Sequence, residues 1–212
     1  LYQFNRAFLQ DARKPLGLAV ERADGQVAVC ETFIHGTPEM AEADRYYVDR
    51  LVKTMLWMKG GFRIFVRGDG EILRTLQEAY APGGSRAFDA DFMAKVYEHP
   101  FEVLPCDELP AEKSNSESVG RHLEGCRIGF DAGGSDRKVS ADPDYHFQGI
   151  VDAMKTAAAH MPRVDAIGVS SAGIYINNRT MNASLFLKVP EDLFNEKVKD
   201  IYIRAAKEIG DV

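Results

Sequence analysis

The chain has 212 residues, 45% of them hydrophobic and 27% charged, which is enough to bury a core in one large domain or two small ones. A net charge of -6 and a pI near 5.4 argue against a protein built to bind polyanions, which needs clustered Lys and Arg, so nucleic acid is not an expected partner. No apolar run approaches the roughly 20 residues of a membrane span, and the opening LYQFNRAFLQDARK lacks a signal-peptide pattern, so a cytoplasmic protein with no membrane partner is expected.

In chain order, residues 16–22 and 26–34 are β-rich runs joined across Ala23-Asp24-Gly25, which predicts a hairpin with its turn at Asp-Gly. Thr37 and Pro38 suit the N-cap and first position of a helix, and apolar residues at helical spacing carry it to Lys59, where Gly60-Gly61 stops it. A strand at 63–66, a Gly-Asp-Gly turn, a helix at 71–80, a loop at 81–85, a helix around 91–98 and a strand at 101–104 follow. The Met and aromatic residues of the first long helix (Tyr46, Tyr47, Met55, Trp57, Met58) read as core packing.

The only linker-like composition is EKSNSES, which divides the chain into an α/β domain at 1–111, a linker at 112–124 and a second α/β domain at 125–212. In the second domain the patterns predict a strand at 127–130, a helix at 145–160, a strand at 166–170 and a helix at 191–209 with Gly210 beyond it. The shared rhythm suggests a divergent repeat, matching 16–22 with 127–130, the two long helices, and 63–66 with 166–170. On that alignment the second unit is a strand short, so an omission near Ala141 and Asp142 is expected.

Cys30, Cys106 and Cys126 are scattered and odd in number, and the five histidines show no ligand spacing. Buried thiols and no structural metal are expected. Asp107, at a predicted strand end, reads as a capping or solvent-facing acid.

The segment RIGFDAGGSDRK places Asp131 at the end of an apolar strand, then Gly133 and Gly134, the hydroxyl of Ser135, and the basic pair Arg137 and Lys138. Glycines let a backbone turn its N–H groups toward phosphate without Cβ obstruction. Asp131 suits a Mg²⁺ that keeps several waters, and Lys138 suits charge on a transferring phosphoryl group. Read alone, the same residues also fit a tight polar hairpin turn. The loop matches neither GxxxxGK[ST] nor GxGxxG.

IGFDAGGSDRKVS resembles the first phosphate motif of the actin/hexokinase/heat-shock ATPase superfamily, and most of all the ROK family of sugar kinases and repressors. DAIGVSSAGIYIN is similar to that family's strand and glycine turn beside the sugar, which falls here on Ser170, Ser171, Ala172 and Gly173; Asn182 resembles its later sugar-contacting Asn. The resemblance covers about residues 127–212. It implies a ribonuclease H-like, actin/hexokinase-type N-lobe preceded by a second α/β domain. ATP and Mg²⁺ are the implied cofactors and a sugar hydroxyl the acceptor, with phosphate held by Asp131, Gly133, Gly134, Ser135 and Lys138. The family's catalytic aspartate sits on a later strand with no counterpart in this chain, and is expected after Val212. A nucleotide and a small sugar are thus the implied partners, and a homo-oligomer is left open. The alternative is a sugar- or nucleotide-sensing scaffold that keeps the fold without phosphoryl transfer; an iron-sulfur-dependent activator is disfavoured because Cys126 is solitary.

Overall fold

The computed structural model describes residues 2–115, 124–133 and 142–210, and the chain divides into two compact α/β units, Leu1–Glu117 and Ser118–Val212. In the first, β1 (Lys14–Arg22) and β2 (Gln26–Ile34) form the predicted antiparallel hairpin. Its turn depends on left-handed backbone at Asp24 (φ 61°) and Gly25 (φ 62°), the residue types that enter that region at least cost. Helix α2 (Ala41–Lys59) follows a 3₁₀ turn at Pro38–Met40, then come β3 (Arg63–Arg67), α3 (Gly70–Tyr80), α4 (Ala87–Tyr97) and β4 (Glu102–Pro105). A first helix, α1 (Tyr2–Asp11), has no strong sequence signal; it is docked by Phe8, which stacks on Tyr47 at 4.3 Å between ring centroids.

The sheet order is β2-β1-β3-β4, with β1 antiparallel to both neighbours and β3 parallel to β4. Alternation sends Leu16, Leu18 and Val20 into a core shared with Val48, Val52, Leu56, Ile64, Ile72 and Leu76. Each such side chain contributes about 1.5–3 kcal/mol by leaving water. The helical period splits the residues expected to be core on α2. Tyr47 and Met55 are buried, while Tyr46, Trp57 and Met58 lie off that face and are exposed. Trp57 instead donates its indole N–H to the buried Asp89 carboxylate at 2.9 Å.

Asp69 caps α3, its Oδ1 accepting from Ile72 N–H at 2.8 Å, and its Oδ2 meets the Lys14 ammonium. Burial alone would raise its pKa, but the Lys14 ammonium and the Ile72 N–H outweigh that and hold the carboxyl below its usual range. Asp69→Ala should therefore cost about 1 kcal/mol in urea titrations near neutral pH. A depressed pKa stabilises above the unfolded value and is lost as pH falls through the folded one, so the wild-type advantage should shrink below about pH 4.

The start of the expected linker belongs to this unit: Lys113 and Val27 exchange two backbone hydrogen bonds, at 2.9 and 3.0 Å. The thiols of Cys30, Cys106 and Cys126 are half-buried rather than buried, and burial pushes those of Cys30 and Cys106 above the usual range.

In the second unit, β5 (Arg127–Ala132) and β6 (Ala166–Ser171) are parallel and α5 (Pro143–Ala158) lies between them in sequence. The Asp142 side chain caps α5 by accepting from Asp144 N–H at 2.9 Å. A hairpin of β7 (Gly173–Ile176) and β8 (Arg179–Ala183) turns through Asn177 and Asn178, at φ 52° and 63°. The single C-terminal helix expected at 191–209 is instead broken into α6 (Glu191–Leu193), a π-helical turn (Phe194–Val198) and α7 (Ile201–Lys207). The Lys199 carbonyl accepts from Thr180 N–H of β8 at 2.8 Å, a tertiary bond at the break. Ile128, Ile150, Met154, Phe186 and Ile201 centre the core, and His146 is fully buried edge-on to Phe186.

The expected duplication fails on connectivity. β1 is antiparallel to β3, whereas the strands aligned with them, β5 and β6, are parallel. In the first unit the chain crosses through α2 from β2, so the strand–helix–strand motif begins one strand later than the sequence rhythm implied.

Candidate functional site

Ligand-binding groups in parallel α/β sheets gather beyond the carboxyl ends of the strands. β5 and β6 are in register from Arg127 opposite Ala166 to Ala132 opposite Ser171, so their carboxyl ends lie side by side. The start of this pair is fixed by Asp165, whose Oδ2 accepts from Cys126 N–H at 2.7 Å and whose Oδ1 meets Arg163. The Arg163 hydrogen bond and then the Cys126 N–H hold the Asp165 carboxyl below its usual range.

Alternation along β5 buries Ile128 and Ala132 and leaves Gly129 and Asp131 exposed. Asp131 thus stands at the strand end opposite Ser170, with no hydrogen bond or ion pair to its carboxylate among the described residues. Gly133 follows, also exposed, and a Cβ built there meets no atom within 4 Å. The remaining predicted phosphate residues, Gly134, Ser135 and Lys138, lie outside the described residues, as do Arg137 and Ala141, where the omission was expected.

The second predicted group lies on the neighbouring strand. Ser171 ends β6, Ala172 is exposed, and Gly173 opens β7 opposite Ala183, one residue pair from Ile174 opposite Asn182. Gly173 is required sterically, since a Cβ there would sit 2.4 Å from the Asn182 carbonyl oxygen and 2.9 Å from the Ala183 Cα. The Ala172 carbonyl accepts from Ser184 N–H at 3.0 Å, closing the turn. Asp131, Ser171, Ala172, Gly173 and Asn182 therefore fall on a contiguous set of strand ends and turns. Asp107 is exposed just past β4 in the first unit.

A layer of hydroxyls beside this turn left no trace in the sequence pattern. Ser171 Oγ, Tyr175 OH, Thr180 Oγ1 and Tyr202 OH are sealed from solvent without a hydrogen bond of ordinary geometry, and Tyr175 is opposite Thr180 in the hairpin. Burial pushes the Tyr202 phenol far above its usual range, and the nearby Ser171 hydroxyl works in the opposite direction. Four residues from four separate elements form this layer, so only the tertiary fold reveals it.

Among the described residues no group of three or more His, Cys, Asp or Glu side chains is poised to hold a metal ion. A lone exposed carboxylate fits Mg²⁺ that keeps most of its waters and takes its other ligands from a nucleotide; it does not fit a cation held by protein alone. The chain matches no family model, no curated protein and no solved structure.

Proposed function

We propose that the second unit binds MgATP as part of an ATP-dependent sugar kinase-like protein of the ROK type, on a ribonuclease H-like plan. The observation that carries this reading is the placement of exposed Asp131 at one strand end beside the Ser171-Ala172-Gly173 turn at the next. Two sequence segments about forty residues apart, each resembling a ligand-contacting element of that family, thereby adjoin at the side of a parallel pair where ligands bind.

In this reading Asp131 would hold a hydrated Mg²⁺, and Gly133, Gly134, Ser135 and Lys138 are the residues assigned to binding the phosphates. MgATP supplies the transferable phosphoryl group. The turn at Ser171, Ala172 and Gly173, with Asn182, borders the sugar. Catalysis in such a site is positioning and charge stabilisation, and the base that takes the sugar hydroxyl proton is assigned to no residue of this chain. The first unit serves as scaffold or interaction surface.

A panel of hexoses with MgATP and the full polypeptide tests the reaction. Sugar phosphate formation that disappears in Asp131→Ala is the expected result. Nucleotide binding without turnover on any sugar would replace the kinase by a sensor on the same site.

A further inference from the structure

β2 is an edge of the first unit's sheet, nine residues long, with neither Pro nor Lys among QVAVCETFI. Edges of that length are normally blunted or covered, because their unpaired backbone groups are a template for another strand. The direction of those groups follows from two bonds. Val27 exchanges both of its backbone hydrogen bonds outward with Lys113, whereas the Ile34 carbonyl faces the β1 side, accepting from Arg13 N–H at 3.1 Å. Backbone groups alternate sides along an antiparallel strand, so Val29, Glu31 and Phe33 also point theirs off the edge.

Among the described residues, the chain itself covers only the Val27 position. Continued in register, Ala111 and Leu109 would come opposite Val29 and Glu31, but Leu109 turns over the sheet, where a Cβ on Gly17 would be 2.8 Å from its Cδ1. A groove of about 650 Å³ is left beside the edge, lined by Val29, Glu31, Arg67, Glu108, Leu109 and Glu112 among others. Three glutamates face one arginine there, and Arg67 is already engaged with Glu31 at 2.6 Å. Phe33, next along the edge, is 48% exposed.

We propose that this edge takes up an extended segment of a partner protein by strand addition, antiparallel to β2, with the pattern apolar-x-basic-x-apolar. The first apolar side chain lies opposite Phe33, the Lys or Arg opposite Glu31 between Glu108 and Glu112, and the second apolar side chain opposite Val29. Main-chain bonds supply affinity, and the alternate side chains supply selection. Lys113 opposite Val27 is the chain's own single-residue instance of the same mode. The proposal concerns the first unit alone and is independent of nucleotide binding in the second.

The test is amide hydrogen exchange on the full chain with the synthetic peptide Thr-Val-Thr-Lys-Thr-Val-Thr and a control carrying Glu in place of Lys. The Lys peptide should protect the amides of Val29, Glu31 and Phe33, and the Glu peptide should bind at least about tenfold more weakly. Glu31→Lys should invert that preference, and Val29→Pro, which removes an outward N–H while sparing the β1 ladder, should abolish protection. Equal binding of the two peptides overturns the proposal, as does protection outside the edge or none at millimolar peptide. Protection of the same amides without peptide, rising with protein concentration, would assign the edge to a second copy and also overturn it. The comparison of the two peptides on the wild-type chain stands even if a variant fails to fold.

Discussion

Replacing Asp44 by Ala should lower the stability of the first unit by about 3 kcal/mol, one of the largest losses expected from a single polar side chain in this protein. Asp44 is 3% exposed and holds the β2–α2 connection from within. Its Oδ1 accepts from His35 N–H at 2.9 Å and lies 3.0 Å from His35 Nδ1, and its Oδ2 accepts from Gly36 N–H at 2.8 Å. Alanine leaves two backbone donors without an acceptor, costing about 1–3 kcal/mol at the half-buried His35 and less at the exposed Gly36, whose N–H water can reach. It also frees Gly36, held at φ 68°, and the His35 ring that packs edge-on to Phe8 at 4.7 Å. Asp44→Asn keeps one acceptor and should lose about half as much. The measurement is urea unfolding followed by fluorescence of Trp57, the only tryptophan, which lies in this unit. A midpoint unchanged in Asp44→Ala would mean that the loop is held by its flanking strand and helix alone.

Gly173→Ala should be nearly as costly to the second unit, by about 2–3 kcal/mol, because the new methyl group meets backbone and not a movable side-chain tip. The Asn182 carbonyl and Ala183 Cα stand 2.4 and 2.9 Å from its position, so β7 and β8 must separate or the turn after Ser171 must shift. Gly129 and Gly168 provide the control. Both are on the parallel pair, with nothing within 4 Å of an added Cβ, and alanine there should be neutral or stabilise by about 0.5 kcal/mol through the unfolded chain. Amide exchange of β7 and β8 reads the difference. Similar exchange in Gly173→Ala and Gly168→Ala would remove the steric argument.

Local chemistry was legible where one residue pair decides the geometry. Asp24-Gly25 announced the first hairpin because those side chains tolerate left-handed backbone, and Gly60-Gly61 announced the end of α2. Asn177-Asn178 carries a similar turn signal between β-forming runs, and the β7–β8 hairpin turns there. Strand direction was not legible at all. The period of a strand is the same in either direction, so nothing in residues 16–22 or 63–66 says that β1 and β3 run antiparallel. The break in the C-terminal helix has no such signal: its apolar spacing is helical throughout, while the bond at the break joins Lys199 to Thr180, nineteen residues earlier.

The candidate site divides the same way. That Asp131 ends a strand and Ser171 to Gly173 follow another could be read from the apolar runs before them, and their adjacency needed only the parallel register. The hydroxyl layer of Ser171, Tyr175, Thr180 and Tyr202 had no spacing to betray it. The exposed edge of β2 was equally silent, because a strand sequence does not say which of its two sides is paired.

Calorimetric titration of the full polypeptide with MgATP, beside the same titration of Asp131→Ala and of Asp107→Ala in the first unit as control, tests the central claim most directly. Magnesium-dependent binding that Asp107→Ala leaves intact and Asp131→Ala weakens by at least about tenfold, or about 1.4 kcal/mol, is the predicted result. No binding at millimolar nucleotide, or binding indifferent to Asp131, would contradict it.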